Sequence, residues 1–234
     1  MIDRSLNYGR ESIAGFLRST TPLDSVLDIG AGEGADLLAA RVCNPDAKLI
    51  AIESYKPAVE ILEHNGIAAH ALDIERDRLP AKDCSVDAVI ANQILEHTKE
   101  LFWILHESTR VLRVGGSLII GVPNLASLHN RVLLALGRQP TAIKSDSAHV
   151  RGFTFTDINE FLQNCFPSGY ECAGRRGENF YPLPGPLASV SARLLPSMAW
   201  GMSLKFVKQK PYRNEFLERL HMRGYETNFF RGPS

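Results

Sequence analysis

Val26-Leu27-Asp28-Ile29-Gly30-Ala31-Gly32-Glu33-Gly34 decides the fold. A short apolar run carries an acid near its end, and three glycines follow at alternate positions ahead of a helix-like segment. That order reads as a strand, a tight turn and a helix N-terminus, with backbone bare enough for a ligand to lie against it. Dinucleotide sites use such a turn to hold a pyrophosphate. Here Asp28 and Glu33 flank it, and no Lys or Arg lies between Leu23 and Ala40. Two carboxylates repel a phosphate and attract an ammonium or sulfonium, so the turn suits a cationic adenosyl ligand better than NAD.

The neighbouring segments keep a strand–helix rhythm. Ile13, Phe16 and Leu17 predict a helix over residues 9–18, ahead of a first strand at 25–29. A helix over 34–43 turns Leu37 and Leu38 inward, and residues 49–52 form a second strand ending at Glu53. The next helix has Pro57 in its first turn, Val59 and Leu62 on one face, and Asn65-Gly66 as its stop. Residues 67–72 read as a third strand ending at Asp73, and 86–90 as a fourth. A helix over 98–113, with Leu101, Leu105, Ser108 and Leu112 in register, is expected to end at Gly115-Gly116, before an apolar fifth strand at 117–122. This alternation predicts an α/β fold: a doubly wound, Rossmann-like sheet of about seven strands, mostly parallel, with an antiparallel edge strand.

After Pro123 the rhythm changes. Residues 125–136 read as a helix and 137–147 as a polar loop. Thr154 and Asp157 offer a cap for a helix with Ile158, Phe161, Leu162 and Cys165 as its apolar stripe. Strands are expected at 170–174 and, at an edge, 203–208. A linker is expected at 182–186, and an apolar helix over 187–200 interrupted by Pro196. The chain thus reads as a single domain over 1–234: a cofactor-binding core at 1–124, acceptor-pocket elements and last strands at 125–210, and a charged, aromatic tail at 211–234.

Composition narrows the class. Lys plus Arg equals Asp plus Glu, at 26 each in 234 residues, so no global charge favours nucleic acid or a membrane surface. Cys43, Cys84, Cys165 and Cys172 form no C-x-x-C pair, which argues against a zinc site or disulfide framework and fits a reducing compartment. Residues 1–4 lack the apolar core of a signal peptide, and no run approaches the roughly 20 apolar residues that span a bilayer. A cytoplasmic protein is expected. Arg193 is the single basic residue in 187–200, which argues against that segment as a membrane anchor.

Beyond the glycine motif stand Glu53, Asp73-Ile74, Asn92-Gln93-Ile94-Leu95-Glu96-His97 after strand four, Gly115-Gly116, and Pro123-Asn124 after strand five. In that order and spacing, over about residues 8–165, the chain resembles a class I S-adenosylmethionine-dependent methyltransferase of the broad type 11 group that includes the ubiquinone-pathway O-methyltransferases. The cofactor expected is S-adenosylmethionine. Gly30 and Gly32, with Ala31 between them, let backbone approach its methionine part, and Asp28 can receive the ammonium. Glu53 lies 23 residues after Gly30, where a strand-end carboxylate, with Ser54 beside it, can accept from the ribose hydroxyls. The resemblance implies that Asp73 accepts from the adenine amino group while Ile74 packs on the ring, and that Asn92 and Gln93 face the methyl donor. Tyr8 and Arg10 precede the first helix, where such enzymes place a lid over the cofactor.

Transfer to a hydroxyl requires a base or a metal to remove its proton. His149 opens His149-Val150-Arg151-Gly152-Phe153-Thr154, which resembles the segment bordering the acceptor pocket in this group; capping its loop or pairing with Asp146 is the structural alternative. His97 is the second candidate, with bracing of the loop after strand four as its alternative. Gln93 stands where some relatives carry a carboxylate associated with a metal, and it is a poor ligand for a hard cation, so no metal is expected. His64, His70, His106, His129 and His221 read as structural.

The expected function is methyl transfer to a small molecule, first of all at oxygen, with nitrogen and carbon acceptors left open. Phe180, Tyr181, Leu183, Arg175 and Arg176 allow an aromatic, sugar or lipid-linked acceptor, and oligomeric state stays open. The rivals are an NAD-dependent oxidoreductase, because Gly30-x-Gly32-x-x-Ala35 meets the loose dinucleotide pattern, and a catalytically silent cofactor-binding protein.

Overall fold

A computed structural model describes residues 9–222, 224–225 and 228–233. Strands β1 (Ser25–Ile29), β2 (Lys48–Ile52), β3 (Ala68–His70), β4 (Val86–Asn92), β5 (Leu112–Pro123), β6 (Tyr170–Glu178) and β7 (Gly201–Lys208) form one seven-stranded sheet, ordered β3-β2-β1-β4-β5-β7-β6. β1 to β5 pair in parallel, and β7 runs antiparallel to both its neighbours. The antiparallel strand lies one place in from the edge, and β6 is outermost.

Successive strand residues face opposite sides, and each side has its own core. Val26, Leu49, Ala51, Ala88, Ile90 and Ile119 meet α1 (Arg10–Arg18), α2 (Ala35–Cys43) and α3 (Lys56–His64) through Ile13, Phe16, Leu37 and Leu62. Leu27, Ile29, Ile50, Val89 and Ile120 meet α4 (Leu101–Val111), α6 (Phe155–Cys165) and α8 (Glu215–Met222) through Phe102, Leu105, Ile158, Leu162 and Phe216. Thr154 caps α6 as expected, its hydroxyl accepting from Asp157 N at 3.2 Å. The tail closes on α4: Phe229 meets Phe102 and Phe230 meets Trp103 at centroid distances of 5.4 and 5.0 Å.

Several expectations shift. In α2 Leu37 is buried but Leu38 is 37% exposed, and Arg10 is the first residue of α1 instead of preceding it. In α3 the buried residues are Ala58 and Leu62, with Val59 half-covered. β3 ends at His70, so Asp73 opens a separate turn in which Arg76 N and Asp77 N donate to its carbonyl. Gly115-Gly116 does not stop α4, because Leu112 has already entered β5. Pairing jumps from Val86–Leu112 to Ala88–Ser117, and the glycines carry the extra loop of strand between. Gly115 has φ +80, and a Cβ on Gly116 would sit 2.9 Å from the Asp87 carbonyl oxygen.

Strand order reverses between β1 and β4, so a crevice opens at the carboxyl ends of those neighbours. α5 (Leu128–Ala135) and α7 (Gly185–Leu194) follow β5 and β6. Among the described residues no helix is long and apolar enough to cross a membrane.

Candidate active site

The glycine turn lies at the strand-order reversal. Gly30 N and Ala31 N donate to Ile52 O at 2.8 and 3.1 Å, pinning the turn to the end of β2. Gly30 has φ +72, and a Cβ there would come within 2.8 Å of the Ile94 side chain. Gly32 has φ +52, and a Cβ there would meet nothing within 4 Å, so open space lies beside it. Glu53 locks the arrangement: one carboxylate oxygen accepts from Gly32 N and the other from Tyr55 N, both at 2.8 Å.

Two cavities flank Gly30. One, of about 500 Å³, is lined by Arg10, Asp28, Ala31, Gly32, Asn92 and Gln93, with Asp36 among them. The other, of about 490 Å³, is lined by Glu53, Ser54, Asp73, Ile74, Ile94 and His97. Sites far apart in sequence are thus gathered around one glycine. Tyr8 lies outside the described residues.

Charge is concentrated in the first cavity. Asp28 is buried, and its pKa is pushed well up by desolvation, then by the charges of Asp36 and Glu53. Burial also raises the Asp36 pKa, against the hydrogen bond from Asn92 and the charge of Arg10. Asn92 Nδ2 donates to Asp36 Oδ2 at 2.8 Å, while Asp36 Oδ1 and Asn92 Oδ1 are buried without a partner. Two orphaned acceptors beside acids that resist ionisation form a site that a bound ammonium would complete. Asp36 was not singled out from the sequence; an acid at the start of a helix reads as an ordinary favourable first-turn residue. Gln93 takes φ +55 while its N–H donates to Gly121 O at 2.7 Å, a strained backbone at the mouth of β4. In the second cavity Asp73 uses one carboxylate oxygen to accept from Glu75 N at 2.9 Å.

A second cluster joins β4 to the segment before α6. Val150 N donates to Glu96 O at 2.8 Å, and the Arg151 guanidinium donates to Thr98 O and Lys99 O at 3.0 and 2.6 Å. These bonds bring His149 onto His97, their rings meeting edge to face with centroids 4.7 Å apart. His149 Nδ1 is 2.8 Å from Ala142 O, so its ring partner is a backbone carbonyl and not Asp146. The carboxylate of Glu96 completes the group, with ligand atoms of all three residues within 4.8 Å of one another. Glu96 is buried, neither of its oxygens has a partner, and desolvation raises its pKa to about 7. The His97 pKa is lowered by burial and then by the charge of His149. Two imidazoles and a carboxylate suit proton transfer, and they also suit a borderline-soft ion such as zinc. In the sequence Glu96 stands only as one member of the segment after β4, and its one signal is an acid set between Ile94-Leu95 and His97.

A family model described as a methyltransferase domain matches residues 27–120. A Mycolicibacterium smegmatis protein named a probable S-adenosylmethionine-dependent methyltransferase is 30% identical over 154 residues, covering 62% of this chain and 51% of that one. The mitochondrial ubiquinone biosynthesis O-methyltransferase of Mus musculus is 27% identical over 135 residues, covering 53% of this chain and 35% of that one. Matches to the first curated relatives span about a third to a half of those proteins' length. Among solved structures, the Burkholderia thailandensis 1,6-didemethyltoxoflavin-N1-methyltransferase, bound to S-adenosylhomocysteine, superimposes with TM-score 0.58 at 16% identity, covering 86% of this chain and 78% of that one. At that identity the likeness speaks for the fold.

Proposed function

We propose that this protein moves a methyl group from S-adenosylmethionine to a small-molecule acceptor, at a hydroxyl oxygen. The reading is supported by the methyltransferase-domain match over residues 27–120 and by relatives named as probable S-adenosylmethionine-dependent methyltransferases. The observation that carries the reading is the first cavity's charge pattern. Asp28, Asp36 and the orphaned Asn92 oxygen face one cation from Arg10, a match for an amino acid end bearing both an ammonium and a carboxylate. A pyrophosphate would meet those same acids.

When bound, S-adenosylmethionine supplies a methyl group already activated by its sulfonium. Asp28, Asp36 and Asn92 accept from the ammonium, and Arg10 pairs with the carboxylate. Glu53 keeps lone pairs for the ribose hydroxyls while bracing Gly32 N, and Ser54 lies beside it. Asp73 accepts from the adenine amino group, and Ile74 covers the ring. Asn92 and Gln93 at the mouth of β4 border the methyl. Alignment and exclusion of water by these residues supply most of the rate, a proximity effect worth ~7–11 kcal/mol.

His149 is the general base. A carbonyl only accepts, so Ala142 O fixes the proton on Nδ1 and leaves the lone pair on Nε2. With an acceptor hydroxyl at Nε2, His149 would take its proton as the oxygen accepts the methyl group that the bound sulfonium would supply. Glu96, once ionised, stabilises the imidazolium, and His97 holds the ring in place. Calorimetry with S-adenosylhomocysteine and NAD tests the cofactor half: micromolar binding of the first is expected, and binding of NAD alone rejects it.

A further inference from the structure

A third cavity, of about 790 Å³, opens between α5, residues 137–147 and Tyr181-Pro182. That volume suits a small organic ligand. One wall is apolar and partly open: Leu128, Val132 and Tyr181 line it and are 38%, 51% and 38% exposed, with the Tyr181 ring packed against His129 and Trp200. Apolar surface left open around a concavity is a mark of a binding site. Arg138, Lys144 and Asp146 also line the cavity, and none of the three makes an ion pair among the described residues. Two cations against one acid leave a single net positive charge.

The cavity is tied to the chemistry by a short run of contacts. Thr141 lines it and holds His129, Oγ1 to Nε2 at 2.9 Å. The next residue, Ala142, gives its carbonyl to His149 Nδ1. His149 in turn meets His97, which lines the cavity of Glu53 and Asp73. A ligand pressing on residues 139–144 therefore bears on the backbone that orients the proposed base.

Resting on the methyl-transfer reading, we propose that this cavity is the subsite for the part of the acceptor remote from its reacting hydroxyl. It takes an amphiphile with an apolar body and one anionic group, of the long-chain carboxylate type. The apolar body covers Leu128, Val132 and Tyr181, while the anion meets Arg138 and Lys144. Binding energy gained there is available to align the reacting end.

Titration of the full chain with dodecanoate and with dodecyltrimethylammonium, each below its micelle-forming concentration, compares the two charges on one chain length. The experiment is run with and without S-adenosylhomocysteine. Dodecanoate is expected to bind at least tenfold tighter than the cation, and the double variant Arg138→Gln/Lys144→Gln to erase that preference. Val132→Asp, which sets a carboxylate on the apolar wall, is expected to weaken dodecanoate at least tenfold. S-adenosylhomocysteine affinity within twofold of the parent shows that each variant is folded. Equal affinity for the two probes, or dodecanoate binding indifferent to the changes, overturns the subsite. Failure of S-adenosylhomocysteine to bind the parent chain counts instead against methyl transfer, and the charge preference is still read without it.

Discussion

The imidazoles of His97 and His149 meet edge to face at 4.7 Å, across 52 residues of chain, because Val150 and Arg151 are hydrogen-bonded to the backbone of residues 96–99. That contact puts one ring against the cofactor-side cavity and ties the other to Ala142. If His149 is the base, His149→Ala lowers turnover by roughly 10²–10⁴ and leaves S-adenosylhomocysteine affinity within twofold. His97→Ala, which removes the supporting ring and part of the wall of the cavity of Glu53 and Asp73, costs less turnover. Steady-state kinetics with calorimetry on both variants checks the order, and full turnover in His149→Ala removes it from the chemistry.

Glu96 makes a signed prediction about pH. Its carboxyl, ordinarily near 4.5, is raised to about 7 in the folded protein. The folded state therefore holds a proton that the unfolded chain has released, and stability falls as pH rises from 4.5 to 7 before levelling off. The shift corresponds to roughly 3 kcal/mol at full ionisation. Glu96→Gln, neutral throughout, should narrow the difference in unfolding free energy between pH 4.5 and pH 8. Denaturant titrations of both proteins at the two pH values measure it; an unchanged slope against pH means Glu96 is not the titrating group.

Glu53 accepts from Gly32 N and Tyr55 N, so it shapes the turn as well as facing the cavity. Glu53→Ala is expected to weaken S-adenosylhomocysteine at least tenfold, about 1.4 kcal/mol. Glu53→Gln keeps one acceptor for the turn and should fall between. Equal losses in the two variants would assign the effect to charge alone, and no loss in either would place the ribose elsewhere.

The cluster of Glu96, His97 and His149 also has a metal alternative, and chelation separates the two. With Gln93 in place of a carboxylate, turnover is expected to survive extended dialysis against EDTA. Loss of activity restored by zinc would transfer the cluster's role from proton transfer to metal binding.

The sheet was legible because β1, β2, β4 and β5 carry apolar runs alternating with helices of their own periodicity, as in Val26–Ile29 and Ile13-Phe16-Leu17. By contrast, β3 is only Ala68-Ala69-His70, with no helix between it and β4. Gly115-Gly116 misled because a glycine pair after a helical stripe looks like a stop, and only the partner strand reveals a bulge. That the glycine turn, Glu53 and Asp73 lie around one crevice was readable from their order along the chain. Asp36 and Glu96 were not, since what marks them is a missing hydrogen-bond partner in three dimensions. The tie between His149 and Ala142 depends on a loop whose sequence has no period at all.

Gly121, near the carboxyl end of β5, makes room for Asn92 by lacking a side chain. A Cβ there would run into the Asn92 amide, with Asn92 Cγ at 3.1 Å, on the side of the buried Oδ1 that has no hydrogen-bond partner. Gly121→Ala must turn Asn92 off Asp36, stripping the first cavity of one acceptor and leaving Asp36 with less support. Strand packing is otherwise kept, so stability should drop by about 1–3 kcal/mol, while S-adenosylhomocysteine binding weakens about tenfold. The discriminating measurement is a double-mutant cycle with Asn92→Ala. If Gly121 acts through Asn92, the second substitution adds little to the first in binding; full additivity would mean that the glycine serves the strand and not the site.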